Sequence, residues 1–333
     1  MPITNFPNGV SSFGVALHGG GGPLGIGVGN VYYLVANKIT DLFYKMLKGR
    51  GVSTNSMYTT LATAYAATTS GQNDVVVVMP GTYTVTASLD WANDYTHLIG
   101  TGGPCYDGSD QYACSILFEC LTTSVAEVLK VSGNWNQFYN VGFANRYANA
   151  GNLTAVNVTS YGNYFYNVGM YGLMATTQDA TAAAASLYVG DAGLSKFEKC
   201  TIGSDVWTAR SGTAQGQIRF TGTGRPNNIT FKDCQIKSNS NTAACVMVTM
   251  PAVTSIGRNI LFDNCIFSNW YDSGTALSAC FFDVASTSQK NCVALHNCSA
   301  FGITEWTALD SGIIMSTMPV ASTAGGHYVE PTT

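Results

Sequence analysis

The chain has 333 residues, only 10% of them are charged, and the formal net charge is −4. This charged share is far below the roughly 25% that is usual for soluble domains. The sequence contains no basic run and no apolar stretch of the ~18 residues that a membrane span requires. We therefore expect neither nucleic acid nor a membrane as a partner. The N-terminus also lacks the basic and apolar segments of a secretory signal, so we expect none.

Residues 1–30 are rich in glycine and proline and include four consecutive glycines at positions 19–22. This composition predicts an extended arm rather than a segment of the core. Ordering such an arm costs backbone entropy, so we expect it to dock against other protein subunits. Its expected anchoring residues are Phe6, Pro7 and Phe13, with the two phenylalanines as apolar contacts.

Residues 31–72 are predicted to form a helical cap. Residues 40–48 place apolar side chains at helical spacing and are followed by Gly49, a common helix stop. A second helix is expected over residues 53–69, with Met57, Leu61, Ala64 and Tyr65 on one face. A helix at this place would cover the strand edges at the end of the following repeats.

The cap is followed by a run of four valines, residues 75–78, and then by Pro80-Gly81. This pattern predicts a buried strand that ends in a tight turn. Two more short strands are expected at residues 84–89 and 97–102.

From residue 138 onward a short pattern occurs six times: a bulky apolar residue, two further residues, Val or Cys, any residue, and again an apolar residue. The Val/Cys positions are spaced by 27, 32, 34, 31 and 33 residues, and are Val141, Val168, Cys200, Cys234, Cys265 and Cys298. An apolar run with period-two alternation precedes each copy. A repeat of this length, built of strands, predicts a solenoid in which each unit buries its apolar face against its neighbours.

The residue before each Val/Cys position is an Asn in four copies, Asn140, Asn167, Asn264 and Asn297, and is Lys199 or Asp233 in the other two. Asn and Asp tolerate left-handed backbone angles best, so we expect a tight bend here. Stacking of the repeats would align these asparagines in one ladder. Cys200, Cys234, Cys265 and Cys298 would form a second, buried ladder without disulfides, and both ladders are expected to be structural.

These features predict an all-β fold, a right-handed single-stranded parallel β-helix, over residues 73–320, with residues 321–333 as a C-terminal tail. Each coil would pair with the next at a spacing of about 4.8 Å. A β-propeller is the alternative, but it requires four strands in each repeat and a blade signature that this sequence lacks.

The ten cysteines do not indicate a metal site, because no Cys-x₂-Cys pair occurs and the four histidines are scattered. We therefore expect no metal and no cofactor. Buried thiols behave as small apolar groups. Cys105, Cys114 and Cys120 lie outside the repeat and are the better disulfide candidates.

The helix, the segment Asp-Val-Val-Val-Val-Met-Pro-Gly-Thr-Tyr (residues 74–83) and Leu-Ile-Gly-Thr-Gly (residues 98–102) resemble the opening of pectate-lyase-like parallel β-helix proteins. Residues 1–14, Met-Pro-Ile-Thr-Asn-Phe-Pro-Asn-Gly-Val-Ser-Ser-Phe-Gly, resemble the start of virion-associated structural proteins of tailed bacteriophages that carry such a β-helix. The resemblance implies a location on the phage particle and other virion proteins, of capsid or tail, as partners.

Pectate-lyase-like folds include both enzymes and inert scaffolds, so activity has to be judged from the residues. The candidate acids in the solenoid are Asp205, Asp233, Asp263, Asp272 and Asp283, and the candidate arginines are Arg210, Arg219, Arg225 and Arg258. No Asp-Asp, Asn-x-Asp or Gly-His-Gly motif accompanies them. Asp233 is better explained as a turn residue, and placing Asp263 and Asp283 on one face would be a guess. We expect no catalytic residues.

The leading hypothesis is a structural virion protein that decorates or cements the capsid through its arm, with the β-helix projecting outward as a homotrimer. The alternative is a tail-spike or tail-fibre component that binds or cleaves host polysaccharide. A solvent-facing row of aromatic residues with paired acids would favour that alternative. A bacterial surface adhesin is a third hypothesis, and the missing signal segment disfavours it.

Overall fold

Short strands follow one another along this chain, and each pairs in parallel with the strand one coil further on. The computed structural model describes residues 29–103, 114–121, 124–205, 209–213, 215–221, 225–251, 256–270, 275–283, 293–307 and 314–316. Their strands form three parallel sheets, here called A, B and C, and the chain visits them in that order in each coil.

Sheet A has eleven strands. In chain order they are β1 (Val31–Leu34), β2 (Met57–Tyr58), β3 (Val75–Val78), β6 (His97–Gly100), β9 (Gln137–Tyr139), β12 (Tyr164–Tyr166), β15 (Lys196–Glu198), β18 (Asn227–Lys232), β21 (Arg258–Asp263), β24 (Val293–His296) and β27 (Ile314–Ser316). Within the sheet β1 lies between β2 and β3, so β2 is the terminal strand at the N-terminal end.

Sheet B has eight strands, β4 (Gly81–Thr84), β7 (Ile116–Cys120), β10 (Gly142–Asn145), β13 (Gly169–Tyr171), β16 (Thr201–Ser204), β19 (Gln235–Ser238), β22 (Ile266–Asn269) and β25 (Ser299–Phe301). Sheet C also has eight, β5 (Leu89–Trp91), β8 (Glu127–Val131), β11 (Thr154–Val158), β14 (Ala185–Val189), β17 (Ile218–Phe220), β20 (Val248–Met250), β23 (Leu277–Asp283) and β26 (Ile303–Thr307). The predicted parallel β-helix is confirmed, and the parallel pairing is incompatible with the antiparallel blades of a propeller.

The interior is filled by side chains that stack along the solenoid axis. The pairing of sheet A aligns Phe138, Phe165, Phe197, Phe231 and Phe262 in one inward row. Successive ring centroids are 4.7 Å apart, and the ring planes lie within 10° of one another. This spacing equals the distance between neighbouring strands, so the repeated phenylalanine follows directly from the coil period.

Three helices lie in the described residues: α1 (Leu42–Gly49), α2 (Leu61–Ala66) and α3 (Thr176–Asp179). The Asp41 side chain caps α1 by accepting a hydrogen bond from the Phe43 amide at 2.7 Å. In the described part of the chain, no helix has the length and apolar character required to cross a membrane.

The expected second helix over residues 53–69 is wrong in its extent. A 3-10 turn at Thr54–Ser56 and strand β2 occupy its first half, and α2 is only six residues long. Met57 pairs with Tyr33 of β1 instead of facing the helix. Both β1 and β2 are strands within the expected cap, because β1 pairs in parallel with β3 and β2 pairs in parallel with β1, which satisfies their backbone groups.

Candidate functional site

The expected Asn ladder lies at the corner between sheets A and B. The φ angle lies between 52° and 55° at Asn140, Asn167, Asn264 and Asn297, and it is 54° at both Lys199 and Asp233. Asn167 donates from Nδ2 to Asn140 Oδ1 at 2.7 Å, and Asn297 donates to Asn264 Oδ1 at 3.0 Å. These side chains are therefore engaged with one another along the axis.

The expected Cys ladder lies directly after this corner and points inward. Cys200, Cys234, Cys265 and Cys298 are thiols and are at most 2% exposed. Each thiol donates to the carbonyl oxygen of the repeat phenylalanine one coil earlier, at 3.3–3.5 Å. Burial raises the pKa of Cys234 well above its ordinary value. A protonated, buried thiol is a poor nucleophile, so these residues do not form a reactive site.

The outer face of sheet A carries a tyrosine–lysine cluster, which consists of Tyr139, Tyr164, Tyr166, Lys196, Glu198 and Lys199. Tyr164 donates its hydroxyl hydrogen to Glu198 Oε2 at 3.0 Å, and Lys196 Nζ lies 2.5 Å from the same oxygen. Lys199 Nζ donates to the Tyr166 hydroxyl at 3.2 Å and lies 5.3 Å from the centroid of that ring. Sequence analysis missed this cluster, because its members come from different coils.

Ionisation in the tyrosine–lysine cluster follows from its hydrogen bonds. Burial raises the pKa of Tyr139 and Tyr164. Burial alone would also raise the pKa of Glu198, but hydrogen bonds from Lys196 and Tyr164 outweigh it and hold that pKa below its ordinary value. The carboxylate is thus ionised and already bonded at neutral pH. The cluster suits a structural seam beside the α1 cap better than an acid–base site.

Three of the candidate acids contact a polar or basic side chain of another coil or loop. Asp233 Oδ1 accepts from Asn264 Nδ2 at 2.6 Å, and Asp205 Oδ2 lies 3.5 Å from Lys237 Nζ. Asp263 Oδ1 lies 2.7 Å from His296 Nδ1. Asp263 belongs to sheet A whereas Asp283 belongs to sheet C, so the two residues do not lie on one face of the solenoid. Asp272 lies outside the described residues.

The four candidate arginines lie in different surroundings. Arg219 donates from its guanidinium to the Ala182 carbonyl oxygen at 2.6 Å on the outer side of sheet C. Arg225 has a φ of 56° in the turn before β18, and Arg258 is exposed at the start of β21.

Arg210 is different, because it is 2% exposed and pairs with Asp179 at 3.4 Å. Its guanidinium also donates to Ser238 Oγ and to the carbonyl oxygens of Gln215 and Val246. Asp179 in turn accepts from the amides of Ser211 and Gly212. These bonds tie loops of three successive coils together, so this buried pair holds the solenoid in register and sequence analysis missed it.

A polar cluster on the outer face of sheet C brings two carboxylates near one lysine. Lys130 Nζ lies 3.1 Å from Asp90 Oδ2, and the Ser132 hydroxyl donates to the other Asp90 oxygen. Burial raises the pKa of Glu127, as does Asp90, while Lys130 and a hydrogen bond from Asn157 act in the opposite direction. A carboxyl group of raised pKa beside an ionised one is the pairing that general acid catalysis uses. We call Asp90, Glu127, Lys130 and Asn157 the sheet C carboxylate cluster.

No group of three or more His, Cys, Asp or Glu side chains suited to hold a metal ion occurs within the described ranges. Cys114 is disulfide-bonded, whereas Cys120 is a buried thiol; Cys105 lies outside those ranges. The expected anchoring residues Phe6, Pro7 and Phe13 also lie outside the described residues.

The sequence matches no protein-family model, and a comparison with curated proteins finds no significant match. Solved structures do resemble it. A pectin methylesterase variant in complex with a hexasaccharide superposes with a TM-score of 0.52 at 16% identity, covering 84% of this chain and 81% of the other. The pectin methylesterase PemA from Erwinia chrysanthemi gives 0.52 at 15% identity, over 83% and 80% of the two chains.

A third similar structure, ORF18 of Geobacillus virus E2, gives a TM-score of 0.40 at 13% identity, over 77% of this chain and 56% of the other. The pectin methylesterase likeness concerns the fold alone. The chain has the right-handed parallel β-helix fold.

Proposed function

We propose that this chain is a structural protein of a bacteriophage virion, which decorates or cements the capsid through its N-terminal arm. The observation that carries the proposal is the place where the chain enters the solenoid. The Asn30 amide donates to Asp74 Oδ1 at 2.6 Å, and its carbonyl oxygen accepts from the Val75 amide at 2.8 Å. Residues 1–28 therefore join the solenoid at the end formed by β1 and β2, and an anchor at that end lets the remaining coils project outward.

Two further features support this proposal. The first fourteen residues resemble the start of virion-associated proteins of tailed phages. The surface has few charges, since only 10% of all residues are charged, which suits packing against other subunits. We propose that its partners are other virion proteins and that the chain forms a homotrimer with two further copies of itself.

The test removes residues 1–22 and adds the truncated protein to virions that lack it. We expect a folded, soluble solenoid that no longer binds the particles, measured as copies per particle by quantitative gel analysis and electron microscopy. A second variant, Phe6→Ala with Phe13→Ala, should lower occupancy, whereas the neighbouring Ser11→Ala with Ser12→Ala serves as the matched control. Wild-type occupancy of the truncated protein would place the anchor elsewhere.

The sheet C carboxylate cluster favours a second candidate function, cleavage of a host polysaccharide by a tail-spike component. Its support is the pairing of Asp90 with Lys130 at 3.1 Å on this face, together with the pKa of Glu127, which burial and the charge of Asp90 raise. The leading proposal instead expects no release of oligosaccharides from host capsule by the purified protein. Release that is abolished in both Glu127→Gln and Asp90→Asn, and retained in the control Asp263→Asn, would favour the enzyme.

A further inference from the structure

At the corner that precedes sheet A, four successive coils each expose a large apolar side chain. Tyr95, Trp135, Tyr161 and Leu194 are 44%, 45%, 41% and 53% exposed, and we call this row the aromatic ridge. Backbone hydrogen bonds set the register of these coils, since the Tyr95 amide donates to the Asn134 carbonyl oxygen at 3.0 Å and the Trp135 amide donates to that of Tyr161 at 2.9 Å. Trp135 thus lies level with Tyr95, whereas Gly162 takes this position in the next coil and Tyr161 precedes it by one residue.

The backbone of the ridge is strained. Tyr95, Trp135 and Leu194 have φ angles of 51°, 60° and 52°, a region that bulky side chains rarely adopt. Later coils place Asn228 and Asn259 at the same corner, with φ angles of 50° and 54°. Asn tolerates this conformation better, so aromatic residues at the corner are not explained by backbone stability. Strain of this kind, at an exposed position, points to a function.

Two rings of the ridge pack directly over glycines of the next coil. A Cβ atom at Gly162 would lie 2.2 Å from the Trp135 ring, and one at Gly193 would lie 2.5 Å from the Tyr161 ring. Each ring therefore occupies space that a side chain would otherwise fill. The rings are pre-positioned, and a ligand that stacks on them has little side-chain motion to suppress.

Polar groups line the same corner. Asn134 donates from its amide and from Nδ2 to Asp94 Oδ1, at 2.6 and 3.1 Å. Its own Oδ1 accepts from the Tyr161 amide at 3.0 Å. The four ridge residues carry no charge, and Asp94 beside them is acidic. Lys196, two residues after Leu194, is paired with Glu198 at 2.5 Å, so the surface offers an anionic ligand little attraction.

The size of the ridge favours a small ligand over a protein. About half of each side chain is exposed, which gives an apolar patch of roughly 400 Å² for four residues of ~200 Å² each. This is half of the ~800 Å² that a stable protein interface buries on each partner, but it matches the patches of about 300–600 Å² that often serve a function on monomers. Three strand spacings give a length of ~14 Å.

We propose that the aromatic ridge binds a linear, uncharged oligosaccharide. The C–H bonds on the flat faces of its sugar rings would stack on Tyr95, Trp135 and Tyr161, since aromatic faces carry partial negative charge. Its hydroxyl groups would meet Asp94 and Asn134. The inference goes beyond the proposed structural role and does not depend on it, because the ridge lies on the solenoid and not on the arm.

The test titrates the full chain with cellohexaose, chitohexaose, maltohexaose and hexagalacturonate, and follows tryptophan fluorescence and calorimetric heat. We expect saturable binding of at least one uncharged hexasaccharide. Trp135→Gly should weaken that binding at least tenfold, while the unfolding midpoint stays equal or rises, because glycine relieves the strain at φ 60°. Trp270→Ala, which removes another exposed tryptophan beyond β22, is the matched control and should bind like the wild type.

Tyr161 does not have a positive φ angle, so Tyr161→Ala is a second variant that leaves backbone strain unchanged. It should also bind at least tenfold more weakly. The proposal is wrong if none of the uncharged hexasaccharides binds, if hexagalacturonate alone binds, or if Trp135→Gly and Tyr161→Ala retain wild-type affinity. An equal loss in Trp270→Ala would likewise overturn it. The protein lacking residues 1–22 should keep its affinity for the sugar. The sugar-binding proposal and the capsid-anchoring proposal can therefore be refuted independently of each other.

Discussion

Asn264 illustrates how a single residue serves the coil through both its backbone and its side chain. Its φ is 55°, its Nδ2 donates to Asp233 Oδ1 at 2.6 Å, and its Oδ1 accepts from Asn297 at 3.0 Å. The corner requires a residue that tolerates the left-handed region, and the ladder requires an amide that both donates and accepts. Asn meets both requirements.

We expect Asn264→Val to lower the free energy of unfolding by about 2–3 kcal/mol, the sum of ~1–2 for the left-handed backbone and ~1 for the lost hydrogen bonds. Asn264→Gly is the matched control, because it keeps the backbone conformation and removes only the amide, so it should lose less. Urea denaturation measures both. Equal losses in the two variants would show that the backbone angle is not the cause.

His97 is the residue that should couple stability to pH. It is 1% exposed, and burial lowers its pKa from 6.5 to about 4. Between these values the unfolded chain binds a proton that the folded chain does not, so this contribution is complete above pH 6.5 and is lost as the pH falls towards 4. At 1.36 kcal/mol per pH unit, the loss is on the order of 3 kcal/mol.

The measurement compares unfolding free energies of the wild type and His97→Gln between pH 7 and pH 4. The variant should show a smaller decrease than the wild type. Parallel curves for wild type and His97→Gln would contradict the assignment.

At the scale of elements, α1 explains why all four valines of β3 are buried. Val76 and Val78 face the interior of the solenoid, whereas Val75 and Val77 belong to a second apolar cluster with Leu47 of α1. The helix thus covers the outer face of sheet A at its N-terminal end. Beyond this cover the outer row changes from Tyr139 and Tyr166 to charged residues, because solvent replaces the helix there.

Leu47→Ala should destabilise the protein by about 2–4 kcal/mol, since it removes a buried leucine from the contact between α1 and sheet A. Leu42 lies on the same helix and is 73% exposed, so Leu42→Ala is the matched control and should change stability by less than about 0.5 kcal/mol. Thermal unfolding followed by circular dichroism measures both. A similar small effect in both variants would show that α1 is not needed to cap the sheet.

The interior of the whole molecule consists of rows of equivalent side chains that stack along the solenoid axis. The reactivity of the cysteines in one such row measures how readily the coils open. The thiols of the Cys ladder are buried between coils, and burial raises the pKa of Cys234 and of Cys280 well above the ordinary value. In a solenoid each coil is stabilised chiefly by its neighbours, so access to a central thiol requires opening of several coils.

We therefore expect a thiol reagent at pH 8 to modify Cys200, Cys234, Cys265 and Cys298 only at the rate of global opening, and to modify them rapidly in denaturing urea. Stability should fall as the pH rises above 9, because the thiols of Cys234, Cys265 and Cys298 then ionise in the unfolded chain, whereas burial and their mutual hydrogen bonds raise their pKa in the folded chain. Mass spectrometry of alkylated peptides identifies the modified residues. Rapid native modification of all four would rule out the buried column.

Some features of this molecule follow from the sequence alone, and others require the tertiary structure. The six-fold pattern around the phenylalanine and the Val/Cys position is sufficient to predict a parallel β-helix, since a coil that stacks on itself must repeat the same inward residue in every turn. The corner between sheets A and B was also predictable, because Asn before each Val/Cys position is a chemical signal of a left-handed bend. Strand β2 was not, because two residues carry too little periodicity to be told from a helix.

The side-chain clusters required the tertiary structure. Arg210 and Asp179, like Asp90 and Lys130, are separated by more than thirty residues, and loops of different lengths between coils decide which of them come into contact. The aromatic ridge was hidden for another reason, since Tyr, Trp and Leu give no signal of a left-handed backbone. The sequence alone thus determined the period and the inward faces of the coil, whereas the register between loops, which no local pattern records, decided what its outer surface presents.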